Sequence, residues 1–257
     1  MFIKKLDTLS VIGDNKDYSE AVIKRFMSGT PIAQNLFLKY VKDNSLQERT
    51  QNESAYYLDS KDIVFLNIGD DLTAKGKGVV FFHEYGHYLD DVGGKLSNDK
   101  TFRENIMNDF RNCMESRANA MFLRELDPKL MSKLGHIRIK LEDIMNPEYW
   151  NGNKESWIDR KKLYDQISKE LKPDNLSAVS DLYSGLSIVE LDNKMERIVG
   201  RWKHPEEYWL ENSDNIYLEA FAHCFEAQFD STRRANLRKY FPNAYKRFEE
   251  LLEGING

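Results

Sequence analysis

A chain of 257 residues with 41% hydrophobic and 31% charged side chains can bury a substantial core, as one large domain or two small ones. Its 13 tyrosines and 14 phenylalanines argue against disorder. A net charge of −5 with scattered Lys and Arg excludes a basic footprint for nucleic acid. No run approaches the roughly eighteen apolar residues of a membrane span, and two cysteines, Cys113 and Cys224, make no disulfide framework.

The opening M-F-I-K-K-L-D-T-L-S-V-I-G-D has the charge of a signal peptide, but Asp7 interrupts its apolar part. No cleavable leader is expected, and the default setting is reduced and cytoplasmic; export by an unconventional route would leave the same sequence. Residues 1–55 are expected to form an N-terminal helical segment or subdomain with a supporting role. There Y-S-E-A-V-I-K-R-F-M sets Ala21, Val22, Phe26 and Met27 near helical spacing until Gly29 and Pro31 break it, and I-A-Q-N-L-F-L-K-Y-V continues to about Lys42. Residues 56–257 are expected to form the main domain. It opens on Y-Y-L-D-S-K-D-I-V-F-L-N-I, where Ile63, Val64, Phe65, Leu66 and Ile68 make a β-rich run closed by Gly69 and two aspartates. Two readings stay open: a plain core strand, or an edge strand to which a bound peptide adds by main-chain hydrogen bonds.

Gly76 and Gly78 then open, and Gly93 and Gly94 close, a helix carrying V-V-F-F-H-E-Y-G-H-Y-L-D-D at 79–91. Histidines four apart share one helical face, so the imidazoles of His83 and His87 can reach one ion. Two neutral nitrogens at about 2.0–2.1 Å suit zinc, and Glu84 beside the first histidine can act as base on water held by the ion. The bare five-letter match also fits an ordinary buried helix. The apolar lead-in from Val79 to Phe82, and Gly86 leaving room beside His87, favour the metal. Asp90 falls on the histidine face and is expected to buttress the site.

Residues 101–126 are expected to form a long amphipathic helix with Phe102, Ile106, Phe110, Met114, Ala118 and Met121/Phe122 on one stripe and Cys113 in the core. His136 stands alone, and 144–157 has the look of an aromatic-rich loop. A further helix runs to Leu171 and is stopped by Pro173. An aromatic-rich insertion with His204 before Pro205 follows, expected to wall a cleft. The segment Y-L-E-A-F-A-H-C-F-E-A-Q-F at 217–229 then places Glu219, His223 and Glu226 at i, i+4 and i+7. Catalytic zinc takes three protein ligands, and the short-spacer position six residues after His87 is Gly93. Glu219 is therefore assigned as third ligand, with Ala220 and Ala222 letting two helices approach closely. His223 is read as orienting a ligand or lining the pocket, and coordination by His223 or Asp90 stays open. Glu226 is read as a helix charge or a ligand's partner, and Cys224, about 100° around the helix from His223, as core.

H-E-Y-G-H-Y-L-D-D together with L-E-A-F-A-H-C-F-E-A resembles the catalytic domain of anthrax lethal factor, where H-E-F-G-H precedes paired aspartates and a downstream helix supplies a glutamate to zinc. The tail with N-A-Y-K-R-F and a final amphipathic helix is similar too. S-D-L-Y-S-G-L, H-P-E-E-Y-W and E-A-F-A-H are similar to C-terminal domains of phage minor head proteins from Gram-positive hosts. The resemblance covers roughly residues 60–252, specific at the two helices and loose between them. It implies an α+β, mainly helical zincin-like fold with a small mixed sheet and the H-E-x-x-H helix. It implies Zn²⁺ on His83, His87 and Glu219, Glu84 as general base, and a protein or peptide substrate. The family's oxyanion-binding tyrosine lies seven residues before the glutamate, where this chain has Asn212. Tyr208 takes that role in this reading, with His204 and Tyr217 behind it. The same resemblance implies two alternatives: a phage or mobile-element structural protein retaining a non-catalytic zinc domain, or a toxin-like effector acting on one host protein.

Overall fold

The computed structural model describes residues 15–41, 46–48, 54–73, 76–125, 160–189 and 197–256. The opening stretch, His136 and the expected aromatic loop at 144–157 lie outside them. The described residues are mainly helical with a three-stranded mixed sheet, and none of their helices is long and apolar enough to cross a membrane. Two compact units emerge: Met1–Ile106 with Asp214–Gly257, and Met107–Ser213.

The first unit begins with α1 (Lys16–Met27) and α2 (Pro31–Tyr40). Asn15 and Thr30 cap them by accepting from the backbone N–H groups of Tyr18 and Ala33, and Pro31 sits where a helix spares an N–H. The buried stripe of α1 is Tyr18, Val22 and Phe26, whereas Met27, expected inward, is 69% exposed. One residue past Phe26 is about 100° around the helix, while Tyr18 stands one turn before Val22 on the same face.

Strands β1 (Leu46–Glu48), β2 (Tyr56–Leu58) and β3 (Ile63–Leu66) lie in the order β1–β3–β2. β3 pairs in parallel with β1, Val64 opposite Leu46, and antiparallel with β2, Val64 opposite Tyr57. The apolar run is thus the central strand, bonded on both sides, and the edge reading does not hold for it. Val64 and Leu66 are buried while Ile63 and Phe65 are half-buried, the two-residue period of a sheet with one face inward. Ile68 leaves the sheet and starts α3 (Ile68–Thr73).

The H-E-x-x-H segment is α4 (Val79–Val92). Gly78 precedes it at φ +75°, a left-handed turn that glycine adopts without steric cost. Asp71 of α3 accepts from the N–H groups of Val80 (2.7 Å) and Phe81 (3.3 Å), supplying the acceptor this helix start requires. The Tyr18 hydroxyl donates to the same carboxylate at 2.5 Å. Burial pushes Asp71 up to about 6 against those hydrogen bonds. On the opposite side of α4, Phe37 of α2 meets Phe81, Phe82 and Tyr85, Phe229 stacks on Phe82 at 3.9 Å, and Tyr88 donates to the Tyr40 carbonyl. Helices α1 and α2 therefore share a core with α4. The sheet closes on α4 through Tyr57, whose ring meets Tyr88 and whose hydroxyl donates to Asp91.

Helix α5 (Lys100–Glu125) begins in the first unit and continues into the second. Phe102, Ile106, Phe110, Met114, Ala118 and Met121 are all buried, as their spacing predicts. Cys113 departs from expectation: it is half-buried, and its Sγ accepts from Arg117 Nε at 3.4 Å. The second unit also holds α6 (Arg160–Glu170), α7 (Ser177–Val189) and α8 (Glu206–Glu211). The first part of the expected insertion is thus α7, buried along nearly its whole length, with Tyr183 against Phe110 and Trp209 of α8 over Gly185. The chain then re-enters the first unit as α9 (Asn215–Ala227), α10 (Ser231–Tyr240) and α11 (Pro242–Asn256), with Phe221 packed against both Phe102 and Phe248.

Candidate metal centre

Helices α4 and α9 meet where neither carries bulk. A Cβ on Gly86 would stand 2.7 Å from Ala222 Cα and 3.0 Å from its carbonyl oxygen, so the two backbones are in contact there. Ala222, noted in the sequence as permitting close approach, is the residue Gly86 meets. This approach turns the histidine face of α4 toward Glu219, His223 and Glu226 of α9.

His83 Nε2 lies 3.1 Å from Glu219 Oε2, and His87 Nε2 lies 3.6 Å from Glu219 Oε1. Zinc bonds of about 2.0–2.1 Å in tetrahedral geometry set neighbouring donor atoms about 3.3–3.4 Å apart. The two measured separations bracket that edge but reach different oxygens of Glu219. The donor set fits zinc in chemistry, while the trio on His83 and Glu219 whose single donor atoms all lie within 4.8 Å of one another is the one with His223. The His83 and Glu219 side chains are 5% and 3% exposed and that of His87 is 15% exposed, so His87 marks the open side.

On the other side of the His83 ring, Nδ1 lies 3.2 Å from Glu226 Oε2. The same oxygen lies 3.4 Å from His223 Nδ1, and Glu226 Oε1 accepts from Arg233 Nη1 at 2.7 Å. His223 is thus tied to Glu226, while one of its nitrogens also comes within 4.8 Å of donor atoms of both His83 and Glu219. Two candidate trios share His83 and Glu219, one completed by His87 and one by His223.

Burial opposes charge on His83, but Glu219 and Glu226 outweigh it and push the metal-free imidazole up to about 10. Burial likewise opposes charge on Glu226; Arg233, then His223 and His83, prevail and hold it well below the usual carboxylate range. Glu84 is buried next to His83 on α4.

The remaining expected residues fall elsewhere. Asp90 is buried, but its carboxylate is engaged by the backbone N–H and hydroxyl of Ser97, both at 2.6 Å. It secures the turn after α4 rather than orienting a histidine, because Gly93 and Gly94 fold the chain back over the helix end. Tyr217 lies under the guanidinium of Arg103, 4.5 Å from its ring centre. Cys224 is buried as expected, and burial pushes its thiol up. Tyr208 and His204 belong to the second unit, where their rings stack at 4.4 Å. His204 Nδ1 faces the buried carboxylate of Asp181 at 2.8 Å, and its backbone N–H donates to the same group. A carboxylate accepts only, so Nδ1 carries the proton.

Sequence reasoning missed Asp71, Asp181 and Arg233. A signal existed for Asp181, the one charge within S-A-V-S-D-L-Y-S-G-L-S-I-V, since a lone acid in an apolar helix needs a partner. Compared with protein-family models, with curated proteins and with solved structures, the chain finds no match in any of the three.

Proposed function

We propose that this chain is a zinc-dependent metallopeptidase of the zincin type, hydrolysing peptide bonds in a protein or peptide substrate. The observation that carries the reading is the convergence of His83 Nε2 and His87 Nε2 on the Glu219 carboxylate at 3.1 and 3.6 Å. His83, His87 and Glu219 hold the ion in this reading, the set of two histidines and a glutamate found with an open fourth position in catalytic zinc. His87 is preferred to His223 because His83 and His87 stand at i and i+4 on one helical face and both face Glu219.

When bound, zinc lowers the pKa of water toward about 7 and polarises a carbonyl. Glu84, the neighbour of His83 in sequence, takes the proton as water attacks and returns it to the leaving amine.

The test measures metal content and turnover of a peptide library on wild type, Glu84→Gln and Glu219→Ala. About one zinc per chain in wild type and in Glu84→Gln, turnover abolished in Glu84→Gln, and zinc lost from Glu219→Ala are expected. Full zinc in Glu219→Ala would transfer the third position to His223 and remove the proposed ligand set. Wild type that binds zinc without turning over peptides, unaltered by Glu84→Gln, would leave a structural zinc domain instead.

A further inference from the structure

Glu226 is a carboxylate held inside the protein with 1% of its side chain exposed, next to a guanidinium equally removed from water. Burying such a pair costs several kcal/mol in desolvation per ion and repays little in stability. Its position explains its use. Oε1 is occupied by Arg233 Nη1 at 2.7 Å, which leaves Oε2 aimed at His83 Nδ1 at 3.2 Å and His223 Nδ1 at 3.4 Å. Neither His83 Nδ1 nor Glu226 Oε2 has an aligned hydrogen bond among the described residues, their own 3.2 Å approach included, so each is the buried polar atom at hand to satisfy the other. Arg233 is itself fixed: Asp230 caps α10 by accepting from the N–H groups of Thr232 (3.0 Å) and Arg233 (3.1 Å), and Arg25 Nη1 holds the other Asp230 oxygen at 3.1 Å.

We infer that Glu226, clamped by Arg233, is the positioning residue of the metal centre, accepting a hydrogen bond from His83 Nδ1–H so that the Nε2 lone pair faces the Glu219 side. The inference rests on the reading of His83 as a ligand and assigns it a partner from the far end of α9. A metal-bound imidazole commonly donates its second N–H to a carboxylate, which fixes tautomer and ring plane and makes the ligand more basic; losing the partner costs about 10–100-fold in metal affinity. His223 Nδ1 approaches the same oxygen, which has lone pairs for both rings.

The experiment titrates the metal-free full-length chain with zinc and cobalt(II), comparing wild type, Glu219→Ala, Glu226→Gln and the double variant Glu226→Gln/Arg233→Met. Glu226→Gln is expected to weaken zinc roughly 10–100-fold and to shift the cobalt d–d absorption bands, with far-UV circular dichroism unchanged. Glu226→Gln alone removes the counter-charge of buried Arg233 and could unfold the chain. The double variant removes both charges and is expected to fold with the same loss of affinity and the same cobalt shift. Wild-type affinity and spectrum in either folded variant would overturn the inference, and they would do so while Glu219→Ala still lost its metal. A wild-type chain that takes up neither metal would instead bring down the zinc reading on which this assignment stands.

Discussion

At the scale of single residues, the largest group of buried ionisable side chains is one cluster between α4, α9 and α10 among the described residues. His83, Glu219, His223, Glu226 and Arg233 are each at most 4% exposed, and ionised groups of that kind persist inside proteins when paired or metal-bound. His83 with His87, and Glu219 with His223, were legible as two pairs because helical spacing puts i and i+4 on one face. The clamp on Glu226 was not, since Arg233 comes from the next helix and no spacing rule connects the two. Tyr208 entered through the phage-like segment H-P-E-E-Y-W because Asn212 occupies the position of the family's tyrosine. In the structure it belongs to the second unit, stacked on His204.

At the scale of elements, the site depends on how closely α4 and α9 approach. Gly86→Ala gains up to about 1 kcal/mol in helix propensity, but the added methyl would stand 2.7 Å from Ala222 Cα, where backbone rather than a pliant side chain must yield. Overpacking of that kind costs about 1–3 kcal/mol, and separating the helices also widens the distances from Glu219 to both histidines. Gly86→Ala is therefore expected to lower both the melting temperature and zinc affinity. A rise in either would mean that the helices slide past one another without loss. The β-rich run was identified as a strand, yet its place at the centre of the sheet was not, because β1 and β2 are three-residue strands with too few positions to show a period. Asp71 illustrates a similar limit: its sequence context suggested the end of a strand, and it caps a helix that starts eight residues later.

At the scale of the whole molecule, the first unit is discontinuous, with α4 before and α9 after the entire second unit. In the proposed reading His83, His87 and Glu219 share a site only once the first unit is folded, so the free energy of zinc binding would become folding free energy. Zinc at 100 times its Kd is expected to stabilise the chain by about 2.7 kcal/mol. The effect should depend on pH in a definite direction. In the metal-free chain His83 is raised from 6.5 to about 10, so its imidazolium stabilises the fold fully below about 6.5 and progressively less as pH rises toward 10. Zinc requires the neutral ring and gains over that same window. The difference in melting temperature between zinc-loaded and chelated protein is accordingly expected to widen from about pH 6.5 to pH 8.5; a constant or narrowing difference would show that His83 is not protonated in the metal-free fold.

The sequence by itself determined the helical stripe from Phe102 to Met121, the α4 boundaries set by glycines, and the shared faces of His83 with His87 and of Glu219 with His223 and Glu226. All of these follow from local rules, the helical period and the backbone freedom of glycine, which act over a few residues. Tertiary structure decided what no local rule reaches. It made β3 a central strand, sent Asp90 to Ser97, placed Tyr18 rather than Met27 inward, and surrounded Glu226 with Arg233, His83 and His223. Each of those outcomes depends on which distant segment arrives to satisfy a buried polar group or cover an apolar face, and the chain itself does not record that pairing as a pattern.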